Sequence, residues 1–380
     1  MIIEEFVDIM KNIQNALLDF FDEELDDEDK YNNFMKLIET HKISNDRYSF
    51  KELLRLINNI GNNHHRVPSF ISKFERLLRF FKKDIEKYFS NSELFEIFKN
   101  NKRILLLLIE EQMMTIDEYI FSIITRNEYV YKRYCEYFQP EIKPLLTKEN
   151  IEKYSETSEV LKYDDFIEMM NKEVDEDFYE KRKEGEDDDY LCKLIRFDKI
   201  KEFATFVNQT NMSLESEIKY SIFETNQLLI EESDITLIEY AAFFGSFKIV
   251  QYIIEKVEKL NPELWIYAVH CKDARMIHLL EENQIKLYSQ KVLKESIKCH
   301  HNDISQYIID NLIKEEDLQK DIENNYNNNL YQYAVESHNY CFFPSNMKYK
   351  NMFNYLFEFD YPMLAKLYLE EGNIELDTLI

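Results

Sequence analysis

The 380-residue sequence predicts an all-α fold, a helical-hairpin solenoid, on three observations. Apolar residues recur every three or four positions along most of the chain, the spacing of one helix face. Only 4 glycines are present, where average usage would supply about 27. The C-terminal half also repeats a helix–turn–helix pattern at a nearly constant interval. Sandwiches, barrels and propellers need glycine at their tight turns, so the shortage argues against them. It excludes Gly-rich phosphate loops as well, because Gly61, Gly185, Gly245 and Gly372 are scattered. Hydrophobic residues make up 45% of the chain, ample for a buried core.

The first element is an amphipathic helix in which Ile2, Ile3, Phe6, Ile9, Met10, Ile13, Leu17 and Phe20 share a face. Residues 22–29 (DEELDDED) hold seven acids in eight positions and read as a solvated loop. Leu53, Leu54, Ile57 and Ile60 form a short stripe, with Gly61 placed to end it in a left-handed turn. Phe70, Ile71, Phe74, Leu77, Leu78, Phe81 and Ile85 follow Pro68, which suits a first helical turn. A second acidic stretch, from Glu173 to Asp189, reads as a linker and puts a boundary near residue 188. The chain then divides into an N-terminal helical domain, 1–188, and a repeat domain, 189–380. Neither acidic stretch has the alternating ligands of a calcium loop.

The clearest repeat unit is residues 236–254, TLIEYAAFFGSFKIVQYII. Thr236 and Glu239 make a capping box at the helix start. Ala241 and Ala242 are small enough to let neighbouring helices approach, and Gly245 can take the left-handed turn that ends the first helix. The pattern returns at 264–280 (LWIYAVHCKDARMIHLL) with Ala268 at the small position, and at 292–309 (VLKESIKCHHNDISQYII) with Ser296 there. Lys272 and His300 stand where glycine is expected. Further units are marked by 189–203, by 331–336 (YQYAVE), and by 363–374 (MLAKLYLEEGNI) with its Gly372 turn.

Residues 236–254 resemble the ankyrin repeat, whose pattern is T-P-L-H-x-A-A-x-x-G-H-x-x-I-V-x-x-L-L. They depart from it at Leu237, Glu239 and Ser246. Stretches 98–106, 221–226, 237–246 and 293–303 are similar to a large ankyrin-like family with a domain of unknown function, expanded in parasitic flagellate protists. The resemblance implies degenerate ankyrin units, divergent helical hairpins in the N-terminal half such as 93–99 with 102–111, and an interaction role without an activity.

With 73 Asp and Glu against 47 Lys and Arg, the net charge of −26 disfavours nucleic acid and anionic membranes. The five cysteines are odd in number and form no C-x-x-C pair, which suits thiols in an intracellular, cytoplasmic protein. The N-terminus is acidic and lacks a signal-peptide core, and the aliphatic run Ile104–Ile109 is too short to cross a bilayer. His270, Cys271, His278, Cys299, His300 and His301 invite a metal reading. Cys271 and Cys299 occupy equivalent positions in adjacent units, however, where helices pack about 8–10 Å apart, so no metal and no cofactor are expected. His64, His65 and Arg66 find no partner residues for an acid–base site.

A binding surface is the better functional expectation. The first helices offer Leu237, Tyr240 and Phe244, then Leu264, Tyr267 and Cys271, then Val292, Glu295 and Cys299, then Tyr333 and Ser337. Tyr240, Tyr267 and Tyr333 would form an aromatic ladder on a concave face. The primary expectation is a non-enzymatic module that binds a basic protein partner through this face and the hairpin tips. The alternatives are a structural protein that self-associates through helix 2–21, and an enzyme with a helical active site.

Overall fold

The computed structural model describes residues 2–63, 67, 69–125, 134–146, 173–219, 221–232, 234–313, 326–344, 347 and 352–371. Every regular element among the described residues is helical. An isolated antiparallel bridge joins Glu217 to Thr236. The chain forms two compact units, one made of Met1–Arg76 with Ala241–Ile380, the other of Leu77–Tyr240. The boundary expected near residue 188 falls inside the second unit.

In the first unit, α1 (Ile3–Asp22) opens the chain with Glu4 and Glu5 at its positive end. Its apolar face is fully buried through Phe6, Met10, Ile13, Leu17, Phe20 and Phe21. The acidic loop that follows is solvated, as expected, and Asp27 caps α2 (Glu28–Thr40) by accepting the N–H groups of Asp29 and Lys30. Arg76 binds Asp26 and Glu28 and lies 3.5 Å over the Tyr31 ring. Lys73 donates to the Phe20 and Glu23 carbonyls and so caps the negative end of α1. Helix α3 (Arg47–Gly61) begins on Asp46, which accepts the Ser49 N–H at 2.9 Å.

Gly61 corrects a sequence expectation. It stays helical as the last residue of α3, and the chain continues in right-handed geometry at Asn62. Its use is space: a Cβ there would lie 2.7 Å from Phe74 Cε2 and 3.2 Å from Phe70 Cζ.

The rest of this unit is repeat-like. Helix Leu264–His270 turns into Ala274–Glu282, Ser289–Lys298 into Asn302–Tyr307, and Met352–Glu358 into Pro362–Glu370. Phe247–Ile254 precedes these hairpins, and Tyr326–Glu336 leads into a 3₁₀ turn at Tyr340–Phe342. Each first helix ends four residues after its small or equivalent position in a left-handed residue. These are Gly245 (φ 67°), Lys272 (49°), His300 (56°), His338 (54°) and Asp360 (63°). The turn is closed the same way at Gly245, His338 and Asp360. The left-handed residue donates to the carbonyl three back, and the next residue to the carbonyl five back, as Ser246 does to Ala241 at 2.8 Å.

The second unit holds the hairpin Asn91–Phe98 and Lys102–Glu110. Ser90 and Glu93 form a capping box at its start, and Asn101 caps the second helix through the Ile104 N–H. The stretch expected to be a solvated linker is exposed over most of residues 173–177 but packed from Phe178 onward through Arg182, Gly185 and Asp187. Gly185 ends helix Phe178–Glu184 at φ 72°, Thr225 donates to its carbonyl, and Asp187 is buried. Asp188 accepts from Ser221 at 3.0 Å, and Asp189 caps helix Tyr190–Arg196. Asp187, Asp188 and Asp189 are used in caps and local pairs, so the end of the stretch is not driven into solvent. Asp198 (φ 49°) repeats the left-handed turn before helix Ile200–Thr210.

Candidate functional site

The aromatic and apolar stripe of the first helices lies mostly inside the protein. Leu237, Tyr240, Leu264, Tyr267 and Cys271 are buried, as are Val292, Cys299 and Ser337. Only Phe244, Glu295 and Tyr333 keep partial exposure. These helices run to between 7 and 11 residues and are packed on more than one side, so the stripe is core. Tyr240 uses its hydroxyl to accept a bond from Arg196 Nη1 at 2.8 Å. The expected ladder of partner-facing tyrosines is therefore absent at Tyr240 and Tyr267.

The structural repeat positions behave as their chemistry dictates. Thr236 and Glu239 form the capping box, with the Thr236 N–H and hydroxyl 2.9 and 2.7 Å from Glu239 Oε2. Ala241, Ala242, Ala268 and Ser296 are fully buried. Gly372 lies outside the described residues, as do His64, His65 and Arg66.

One bond recurs between successive hairpins of the first unit. His301 Nδ1 lies 2.8 Å from the Val269 carbonyl, Asn339 Nδ2 donates to Ile297 at 2.9 Å, and Tyr361 Oη donates to Val335 at 2.7 Å. Each donor follows a left-handed residue, and each acceptor follows a small residue one hairpin earlier. Because a carbonyl only accepts, the His301 Nδ1 carries the proton.

Helix α3 lies across these turns. Lys51 and Arg55 bind Asp360 at 2.7 and 2.9 Å. Asn59 donates to Ser337 O and sits 3.0 Å from His338 Nδ1, and Asn63 donates to Lys298 O. From α1, Asp22 pairs with Lys272, and Gln14 both donates to Asn339 and accepts the Tyr340 N–H. Glu52 is fully buried and accepts the N–H groups of Met363 and Leu364 and the Tyr340 hydroxyl. Burial pushes its carboxyl up to about 8 even though those three donors pull the other way. Sequence reasoning missed this contact set, because polar residues on an amphipathic helix read as its solvent face. Burial of the α1 apolar face within its own chain likewise removes it as a dimer seam.

Among the described residues, one group of side chains can hold a metal ion. His270, Glu295 and Cys299 bring one ligand atom each to within 4.8 Å of one another. His270 Nε2 is 2.7 Å from Glu295 Oε1, and Lys298 Nζ is 3.2 Å from the same oxygen. Burial alone would raise the Glu295 carboxyl, but Lys298 and His270 hold it down at about 2. The pairing corrects the sequence argument, in which Cys271 faces Cys299. The residue one position earlier, His270, makes the approach. His278 is instead half exposed and pairs with Glu281.

No family model matches the chain, and neither the curated proteins nor the solved structures include a match. No helix among the described residues is long and apolar enough to cross a membrane.

Proposed function

We propose that the chain is a non-enzymatic protein-interaction module or scaffold, built as a degenerate ankyrin-like solenoid. The observation that carries this reading is the bond repeated from hairpin to hairpin at His301, Asn339 and Tyr361. Repeated nearest-neighbour bonding is how a stacked array is held together, and such arrays serve as extended binding surfaces. In this reading the partner docks at the hairpin tips. The turn ends of the hairpins are occupied by α1 and α3, whereas the loops joining one hairpin to the next lie at their opposite ends.

One such tip has an exposed aromatic anchor. Tyr288 is 41% exposed, the Lys286 ammonium lies 5.2 Å over its ring, and Lys291 pairs with Glu263 nearby. The net charge of −26 steers a basic partner toward the chain. Five cysteines, odd in number and without a C-x-x-C pair, favour a reducing compartment in this reading. The test is lysine cross-linking with mass spectrometry of the tagged full-length chain in extract of its native cell. Links from Lys286 or Lys291 to a basic protein, lost in Tyr288→Ala and weakened by salt, support the reading. Links unchanged by Tyr288→Ala, or none to a basic protein, overturn it.

A further inference from the structure

We propose that His270, Glu295 and Cys299 form a site for one divalent transition-metal ion of the zinc class, held between two successive hairpins. Glu295 and Cys299 are four residues apart, so helix Ser289–Lys298 and its cap stack them on one face. His270 ends the first helix of the preceding hairpin and reaches the same point from the other side. The three ligand atoms already converge within 4.8 Å. His270 and Cys299 are at most 1% exposed, so the site is desolvated on two of its three sides.

The donor set selects the ion. Calcium and magnesium take oxygen ligands, whereas an imidazole, a thiolate and a carboxylate together suit zinc, cobalt or nickel. Thiolate and carboxylate supply two negative charges, which balance a divalent ion. Three protein ligands leave a fourth position for water or another donor. The competitor is Lys298, whose ammonium holds Glu295 and is 35% exposed. It has room to swing into solvent when an ion takes its place.

The test is titration of the reduced full-length chain with Co²⁺, then with Zn²⁺. One equivalent of Co²⁺ is expected to give a thiolate-to-cobalt band in the near ultraviolet, which Zn²⁺ abolishes. Cys299→Ser should lose the band, and Glu295→Gln and His270→Gln should weaken binding by at least about tenfold. Lys298→Met should tighten it, and Cys271→Ser should change nothing. Helical circular dichroism of each variant separates lost ligation from lost fold. No band with the unaltered chain overturns the site, whatever the variants do. A band that survives in folded Cys299→Ser overturns it equally, leaving His270 and Glu295 as an ion pair only.

Discussion

At Gly61 the absent side chain is what lets α3 meet the Phe70 and Phe74 rings. Gly61→Ala gains about 1 kcal/mol of helix propensity, but it must displace two buried rings at a cost of about 1–3 kcal/mol. A lower urea midpoint is expected; an unchanged or higher one removes the crowding argument. Lys272 makes the opposite demand. Its φ of 49° strains any L side chain by roughly 1–2 kcal/mol, and its partly exposed pairing with Asp22 contributes little. Lys272→Gly should therefore raise stability by about 0.5–1 kcal/mol, read from the same midpoint. Glu52 adds a pH dependence. Its carboxyl is raised to about 8 in the folded chain, chiefly by burial, so the folded state binds the proton more tightly than the unfolded state. Stability should fall as pH rises from the ordinary carboxylate range toward 8 and level off above it. In Glu52→Gln that component of the slope should vanish when unfolding is followed from about pH 5 to pH 9. An identical slope in the variant would mean that Glu52 is already ionised.

The hairpins are joined by single side chains, and at Ile297 and Val335 the carbonyl also accepts a backbone N–H from His300 or His338, so loss of the side chain removes one donor of two. Tyr361→Phe removes only the hydroxyl that serves Val335, whose carbonyl keeps the His338 N–H, and a cost of about 0.5–1.5 kcal/mol is expected. Tyr288→Phe, at an exposed tip, should cost almost nothing, and equal losses for the two would dissolve the argument. Much of this level was legible in the chain. Helix α1 spans Ile3–Asp22 where periodicity placed it, and Lys272 and His300 occupy the left-handed turns that their alignment with Gly245 implied. The connecting bonds were not legible. Asn339 and Tyr361 earn their roles only from the neighbouring hairpin, and no spacing within one hairpin reveals a neighbour's carbonyl. The metal cluster was half legible for the same reason. Glu295 and Cys299 share a face by spacing, but unit alignment put Cys271 opposite them and hid His270.

For the whole molecule, the first compact unit is assembled from both ends of the chain, with Leu77–Tyr240 forming a unit of its own. No composition shift marks that arrangement. The acid-rich stretch ending at Asp189 suggested a cut inside a packed unit, because charge runs that cap helices look like charge runs that face water. A fragment of residues 77–240 is therefore expected to fold alone, with cooperative unfolding by circular dichroism. A fragment of residues 189–380 should not, since it loses α1 and α3 and most of the other unit. Cooperative unfolding of 189–380 would restore the simpler division. The pairing of Asp22 with Lys272 joins residues 250 positions apart. At roughly 5–20 residues per second, about 12–50 s of synthesis separate the two. On every nascent chain Asp22 waits that long for its partner, while the Phe20 and Phe21 end of the α1 apolar face meets Tyr31, Phe70 and Phe74 much sooner. The order of translation, rather than the stability of the finished fold, sets the interval in which the two ends of this unit stay unpaired.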